Sequence, residues 1–214
     1  MLKTKTVSPL SGKKPTSAII LLHGLGADGA DLISLGEEWR DTLPDTEFLA
    51  PDAPFPCDMA SFGYQWFSLQ DQSPEAILAG VKQAAPMVNN YIDEVLKTRE
   101  LSPRRLALVG FSQGTMMSLY VGLRREEQLA CIVGYSGLLV DAENLPAEKK
   151  SSPPILLFHG MMDPVIPFFF LDQTEKGLKA AGLSVESYAR KGLGHGIDSF
   201  GMTEGLSFLK KALT

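Results

Sequence analysis

The sequence has 214 residues, a net charge of −5 at pH 7 and a hydrophobic content of 44%. This length fits one domain, residues 1–214, better than two small ones, and its core is large enough to fold without a disulfide or a structural metal. The acidic balance and the absence of a basic block argue against nucleic acid or an anionic membrane as the main partner.

The cysteines and the N-terminal segment bear on the cellular compartment. Cys57 and Cys131 are the two cysteines, and they show neither metal-ligand nor CxxC spacing. The N-terminus lacks the apolar core of a signal peptide, and no apolar run approaches the roughly 20 residues that span a bilayer. We therefore expect a cytoplasmic protein without an integral membrane segment.

Short apolar runs alternate with longer amphipathic stretches along the chain. This alternation predicts an α/β fold with a mostly parallel central sheet and helices on both faces. Strands are predicted at residues 17–22, 46–50, 104–110, 131–135, 154–159 and 184–188. Helices are predicted at residues 75–100, 115–127, 168–181 and 203–213. Two long loops, 51–74 and 138–153, are candidates for substrate contacts.

The pentapeptide Gly-Phe-Ser-Gln-Gly at residues 110–114 follows a predicted buried strand and precedes a predicted helix. In this context G-x-S-x-G is typical of a tight turn that lifts a nucleophilic serine above the edge of the sheet. The glycines remove β-carbons that would collide in such a turn. Ser112 is therefore the candidate nucleophile and the amide of Gln113 a candidate oxyanion donor. A chance occurrence of the pattern in a loop is the alternative.

A serine hydroxyl needs an adjacent base that is held by a third group. On this type of fold the partners follow in the order serine, acid, histidine. His23 precedes Ser112 and His159 precedes the favoured acid, Asp163, whereas His195 follows both and lies in a glycine-rich loop after the last predicted strand. His195 is the predicted general base, and a structural surface histidine is the alternative.

Asp163 is the predicted acid because it follows the strand at 154–159 and so belongs to the same sheet edge as Ser112. The alternative for Asp163 is an aspartate that opens a turn before proline. Asp141 also follows a strand and remains a rival, although the pattern favours Asp163.

The loop after the first predicted strand is the expected source of the second oxyanion donor. It reads His-Gly-Leu-Gly-Ala-Asp-Gly at residues 23–29, and the amide of Leu25 is the candidate. A phosphate-binding loop is the alternative, but the chain has neither GxxxxGK[ST] nor GxGxxG with an acid after the next strand.

Four short motifs occur in a fixed order along nearly the whole chain. They are HGLG at 23–26, GFSQG at 110–114, HG at 159–160 with an aspartate three residues on, and GH at 194–195. Together with Trp66, they resemble the phospholipase/carboxylesterase family of α/β-hydrolases, which includes the acyl-protein thioesterases.

The resemblance implies an α/β-hydrolase fold without a large cap domain. It implies hydrolysis of carboxylic ester or thioester bonds, lysophospholipids included, without a cofactor. It assigns the triad to Ser112, Asp163 and His195 and the oxyanion donors to Leu25 and Gln113. The expected substrate is a small-molecule or lipid-like ester or an acylated protein.

Two departures from the family pattern concern the substrate more than the reaction. Thr115 stands where family members often have a second glycine, and the loop at 54–67 differs from the eukaryotic thioesterase version. Apolar residues of the predicted loops nevertheless suggest an acyl groove, with a core role as the alternative for each. These residues are Met59, Phe62, Trp66, Met162 and Phe168.

The sequence leaves two further questions open. A monomer and a homodimer are both compatible with it, and an exposed apolar groove would favour self-association. A hydrolase-fold protein that binds a ligand without catalysis is the competing functional class, because a fold by itself does not define a function.

Overall fold

The computed structural model describes residues 2–214. Its strands are β1 (Thr4–Val7), β2 (Ser17–Leu22), β3 (Thr46–Pro51), β4 (Phe55–Pro56), β5 (Tyr64–Gln65), β6 (Leu106–Phe111), β7 (Ile132–Tyr135), β8 (Ile155–Gly160) and β9 (Val185–Arg190). Its α-helices are α1 (Gly29–Trp39), α2 (Pro74–Arg99), α3 (Gln113–Arg124), α4 (Leu145–Glu148), α5 (Phe169–Ala180) and α6 (Ser199–Leu213).

Seven strands form one sheet in the order β1-β3-β2-β6-β7-β8-β9. The edge strand β1 runs antiparallel to β3, and the other neighbours pair in parallel. β4 and β5 form a separate two-stranded hairpin. The predicted α/β-hydrolase fold, with a mostly parallel sheet and no large cap, is confirmed.

The central strands are apolar throughout because helices cover both faces of the sheet. In β2, Ile20 and Leu22 face a core that includes residues of α2 and α3. Ile19 and Leu21 face the opposite core, which includes residues of α1 and α6. Side chains of a strand alternate between its two faces, so a continuous apolar run buries every residue of the strand.

The long helix α2 follows the predicted periodicity. Its side chains at Val81, Ala84, Val88 and Ile92 are buried at helical spacing against the sheet. Ser73 begins the helix, since its hydroxyl oxygen accepts a hydrogen bond from the Ala76 amide at 3.3 Å. Of the helices in residues 2–214, none is long and apolar enough to cross a lipid bilayer.

Parallel pairing brings the ends of four strands to one edge of the sheet. Leu25 follows β2, Ser112 follows β6, Asp163 follows β8 and His195 follows β9. Residues that are far apart in the sequence therefore meet at the carboxyl edge, where open α/β sheets commonly bind their ligands.

Candidate active site

Ser112 joins β6 to α3 in a strained conformation, with φ 55° and ψ −116°. Its neighbours show why the turn needs glycine. A β-carbon on Gly110 would lie 2.4 Å from the backbone of Gly114, and one on Gly114 would lie 1.7 Å from the carbonyl oxygen of Leu22. The Ser112 amide donates to the Tyr135 carbonyl oxygen at 2.9 Å, which ties the turn to β7. Such strain is typical of functional sites.

Thr115, the departure from the family pattern, braces this turn. Its Oγ1 lies 2.8 Å from the carbonyl oxygen of Gly110 and 2.9 Å from that of Tyr135, and it accepts a hydrogen bond from the Tyr135 amide at 3.0 Å. Gly134 and Gly137 leave room for it, because β-carbons there would lie 2.6 and 2.3 Å from Thr115 atoms. The threonine therefore links α3 to both β6 and β7.

Asp163 and His195 form a hydrogen-bonded pair. His195 Nδ1 lies 2.8 Å from Asp163 Oδ2, and the Asp163 side chain is fully buried. A carboxylate oxygen only accepts, so Nδ1 carries the proton and Nε2 is free to act as a base. The ring of Phe111 packs against His195 with the ring centroids 4.9 Å apart.

The surroundings of Asp163 keep its carboxylate ionised. Its Oδ1 accepts hydrogen bonds from the amides of Val165 at 2.8 Å and Ile166 at 2.9 Å. Burial by itself would raise the pKa of Asp163, but the hydrogen bonds from His195 and from these amides outweigh burial and hold the pKa below its ordinary value.

Asp141, the rival acid, has other partners. Its Oδ2 lies 3.3 Å from Arg124 Nη2, and its Oδ1 accepts a hydrogen bond from Asn144 Nδ2 at 2.6 Å. This carboxylate is thus engaged with Arg124, whereas Asp163 is the carboxylate that contacts His195.

A groove of about 930 Å³ opens at this edge of the sheet. Ser112, Gln113, Leu25 and His195 all line it. Its apolar wall comes from Leu69, Ile77, Met116, Leu138, Ile166 and Phe170. The volume and the mixture of apolar walls with a few polar groups are typical of small-molecule sites.

Leu25 and Gln113 line this groove, and neither backbone amide donates a hydrogen bond among residues 2–214. Among the described residues the side-chain hydrogen bond of His195 runs from Nδ1 to Asp163, and none joins Nε2 to Ser112 Oγ. Catalytic hydrogen bonds of free enzymes are often long and tighten when substrate binds.

His23 fixes the loop that carries Leu25. The Ala53 amide donates to its Nε2 at 2.9 Å, so its Nδ1 carries the proton and donates to the Gly24 carbonyl oxygen at 2.7 Å. Burial lowers the pKa of His23, which keeps the ring neutral. Trp66 Nε1 donates to the His23 carbonyl oxygen at 2.9 Å.

The Gln113 side chain has a role that sequence reasoning missed. It is fully buried, its Oε1 accepts from the Trp66 amide at 3.1 Å, and its Nε2 donates to the Phe67 carbonyl oxygen at 2.8 Å. The residue after Ser112 thereby holds the 66–67 segment of the early loop. A polar side chain inside an apolar strand–helix junction was the signal for such a contact.

Of the five residues predicted to bind substrate, the structure places only Phe62 in the groove lining. Trp66 is instead fully buried, because its indole N–H is satisfied inside the core. Met59 and Met162 are exposed, at 56% and 69%, but lie outside the lining. Phe168 packs on the core beneath α5. These four residues therefore lie outside the groove lining, and a substrate contact for them stays a prediction.

The fold and the groove at its carboxyl edge define the class, an α/β-hydrolase enzyme of the serine hydrolase type. The sequence pattern of the phospholipase/carboxylesterase family matches residues 5–213. The chain belongs to this family, whose activities are of the carboxylesterase and acyl-protein thioesterase type.

Individual relatives cover the chain almost from end to end. Acyl-protein thioesterase 1 of Emericella nidulans is 30% identical over 94% of this chain and 92% of that protein. Among solved structures, esterase PE8 is 41% identical, with a TM-score of 0.94 and 99% of both chains covered. Acyl-protein thioesterase 2 of Zea mays is 26% identical, with a TM-score of 0.78 and 100% of both chains covered.

Proposed function

We propose that this protein is a serine carboxylesterase with Ser112 as nucleophile, His195 as general base and Asp163 as the acid that orients His195. One observation carries the proposal. His195 is hydrogen-bonded through Nδ1 to the buried Asp163 and lines the same groove as Ser112. A base with a free Nε2 beside a serine in a strained turn is the arrangement that nucleophilic acyl transfer requires.

In the proposed first step, Ser112 Oγ attacks the ester carbonyl carbon while His195 Nε2 takes the hydroxyl proton. The amides of Leu25 and Gln113 donate to the oxyanion that forms. Each such donor is commonly worth about 3 kcal/mol in the transition state. The tetrahedral intermediate then collapses, the carbon–oxygen bond to the alcohol breaks, and the alcohol leaves with the proton from His195.

In the second step water attacks the acyl-enzyme. His195 removes a proton from the water, and the same amides hold the oxyanion. The bond between the acyl carbon and Ser112 Oγ then breaks, His195 returns the proton to Oγ, and the carboxylic acid departs. Asp163 stabilises the His195 imidazolium in both steps and keeps its own charge throughout. The proposed reaction uses no metal or cofactor.

The proposed substrate is an ester with an apolar acyl chain, which the apolar wall of the groove would hold. Lysophospholipids belong to this class. The 41% identity to esterase PE8 favours the ester. Acyl-protein thioesterase activity is the second candidate, favoured by the name of the fungal relative that is 30% identical.

Initial rates on nitrophenyl esters and matching thioesters, from acetyl to dodecanoyl, test the proposal, with Ser112→Ala as the blank. We expect Ser112-dependent turnover with an optimum at medium or long acyl chains. Higher kcat/KM on thioesters would favour the thioesterase. If no substrate is turned over and a fluorophosphonate leaves Ser112 unlabelled, the non-catalytic binding protein is the correct class.

We also propose that residues 1–214 form one hydrolase domain in the cytoplasm. The family match over residues 5–213 supports the single domain. The thiols of Cys57 and Cys131 are free and buried, as expected in a reducing compartment. The groove mouth carries exposed apolar side chains such as Phe62 and Val165, so sedimentation is the measurement that separates monomer from homodimer.

A further inference from the structure

A second histidine contacts Asp163 but is not part of the groove lining. His159 is in β8, is only 1% exposed, and does not line the groove. Its Nε2 lies 2.8 Å from the carbonyl oxygen of Ile166 and 3.4 Å from Asp163 Oδ2. The imidazole therefore contacts the acid without any access to a substrate.

The partners of His159 define its protonation state. A carbonyl and a carboxylate oxygen can only accept, so Nε2 must carry a hydrogen. Its Nδ1 is buried and has no hydrogen-bond partner within residues 2–214. A charged ring would leave a buried N–H donor unsatisfied, whereas the neutral ring leaves only a lone pair. His159 is thus a neutral donor, and it has no free Nε2 with which to act as a base.

We infer that His159 is a positioning residue that holds the turn of residues 163–166 so that the Asp163 carboxylate faces His195. The inference rests on the proposed function. The turn is held from both ends. Asp163 Oδ1 accepts from the Ile166 amide at 2.9 Å, and the ring of His159 donates to the carbonyl oxygen of the same residue.

Both imidazole rings approach the same carboxylate oxygen of Asp163. His195 Nδ1 lies 2.8 Å from Asp163 Oδ2 and His159 Nε2 lies 3.4 Å from it. The Nε2 hydrogen of His159 is donated to the Ile166 carbonyl oxygen, so the ring contacts Asp163 Oδ2 by electrostatic attraction and leaves the hydrogen bond from His195 in place. Within residues 2–214, Asp163 is the charged side chain at ion-pairing distance from His159. The rings of Phe168 and His159 pack edge to face, with their centroids 6.2 Å apart.

A matched pair of amide variants tests this role. In His159→Gln the side-chain amide nitrogen reaches the place of Nε2, whereas in His159→Asn it reaches only the place of Nδ1. We expect His159→Gln to keep kcat within about threefold of wild type. We expect His159→Asn to lower kcat roughly 10- to 100-fold with KM unchanged, since small misplacements of catalytic groups cost rates of this order.

A purely structural role of His159 would leave the pH dependence of kcat/KM unchanged, so this pH profile distinguishes positioning from structural support. When the carboxylate is held less well, the positive charge that the His195 ring gains on protonation is stabilised less. The acidic limb of His159→Asn should therefore lie at lower pH than that of wild type and of His159→Gln. Circular dichroism and thermal unfolding establish that each variant is folded.

Equal kcat values and equal acidic limbs in the two variants would overturn the inference. If only His159→Gln folds, its kcat and the acidic limb of its pH profile are compared with those of wild type. A loss of kcat as large as that expected for His159→Asn would also overturn the inference. Ser112→Ala separates this outcome from failure of the proposed function. If Ser112→Ala is inactive and both His159 variants behave like wild type, only the inference about His159 is refuted. If Ser112→Ala is active, the proposed triad is refuted.

Discussion

At the turn of residues 110–115, backbone approaches backbone so closely that a β-carbon on Gly114 would lie 1.7 Å from the Leu22 carbonyl oxygen. Across the groove the wall is made of side chains, and Phe62 is 74% exposed. The first region allows almost no change of residue, and the second allows many. The chemistry of the site is therefore constrained by the fold, whereas the range of substrates depends on side chains that can vary.

The largest effect should come from the turn itself. Ser112→Ala removes the nucleophile, and kcat on a nitrophenyl ester should fall by about 10⁶-fold. Ser118→Ala is the matched control, because Ser118 is a buried serine of α3, the helix that follows Ser112, and its hydroxyl donates to the Gly114 carbonyl oxygen at 2.7 Å. Its kcat should stay within a few-fold of wild type, and comparable losses in both variants would mean that the turn was merely deformed.

The next effect concerns the acid. Asp163→Asn keeps the shape but removes the charge that orients and stabilises His195, so kcat should fall by about 10⁴-fold. Asp141→Asn changes the rival, which is paired with Arg124, and should leave kcat within about threefold. If the larger loss followed Asp141→Asn, the assignment of the acid would be reversed.

The same Asp163 variant has a defined effect on stability against pH. The folded-state pKa of Asp163 is lowered, so its ionised form stabilises the protein above the ordinary aspartate value of about 4 and loses this contribution as pH falls through the folded value. Urea unfolding should show a difference between wild type and Asp163→Asn that is constant near neutrality and shrinks in acid. A difference that grows in acid would contradict the hydrogen-bonded, ionised carboxylate.

Close packing at the turn should also appear in stability. Gly114→Ala should lower the free energy of unfolding by about 3 kcal/mol, because its β-carbon must displace the β2 backbone. Gly182→Ala is the comparison, since Gly182 has a φ of 72° but nothing within 4 Å of the added atom. Only the left-handed conformation then costs free energy, about 1 kcal/mol. If urea unfolding showed equal losses of unfolding free energy in the two variants, the close approach at Gly114 would contribute little to stability.

The smallest effect should come from the wall. Phe62→Ala should lower kcat/KM roughly threefold for a dodecanoyl ester, since only part of this exposed ring would be covered by the chain. The acetyl ester, which is too short to reach it, should be unaffected. Equal losses on both esters would indicate that Phe62 supports the loop and does not contact the acyl chain.

The sequence was informative where one local pattern determines the structure. The apolar run of β2 predicted residues 17–22, and the structure has the strand at Ser17–Leu22. The run predicted at 104–110 begins two residues late, because Pro103–Arg105 form a 3₁₀ turn before β6. The motif order placed Ser112, Asp163 and His195 at one sheet edge, where the structure has them, and their catalytic roles stay predictions.

Elements with weak local signals were missed. Helix α1 begins inside the glycine-rich loop, where Asp28 caps it by accepting a hydrogen bond from the Ala30 amide. Because this region was assigned to the loop motif, the helical spacing of the buried Leu32, Leu35 and Trp39 was overlooked. Strand β1 owes its structure to pairing with β3, since only Val7 of its four residues is buried. Pairing with a distant strand leaves no periodic pattern in the sequence.

The groove wall was the least predictable part of the site. Trp66 and Phe62 are aromatic residues of the same loop, yet one is fully buried and the other is exposed in the groove. Loop side chains follow no regular period, so the direction of each depends on tertiary contacts such as the bond from Trp66 Nε1 to His23. Met116 was missed as a wall residue, because a buried position on a predicted helix gives no sign in the sequence that it borders a groove.

The loops that carry Asp163 and His195 are joined by their backbones. The Met162 amide donates to the Leu193 carbonyl oxygen at 3.0 Å, and a β-carbon on Gly160 would lie 2.2 Å from the Gly194 carbonyl oxygen. The alignment of acid and base thus depends on these backbone contacts as well as on the side-chain hydrogen bond between them. A displacement of either loop would be transmitted to the other through these backbone contacts, so acid and base would move together relative to Ser112.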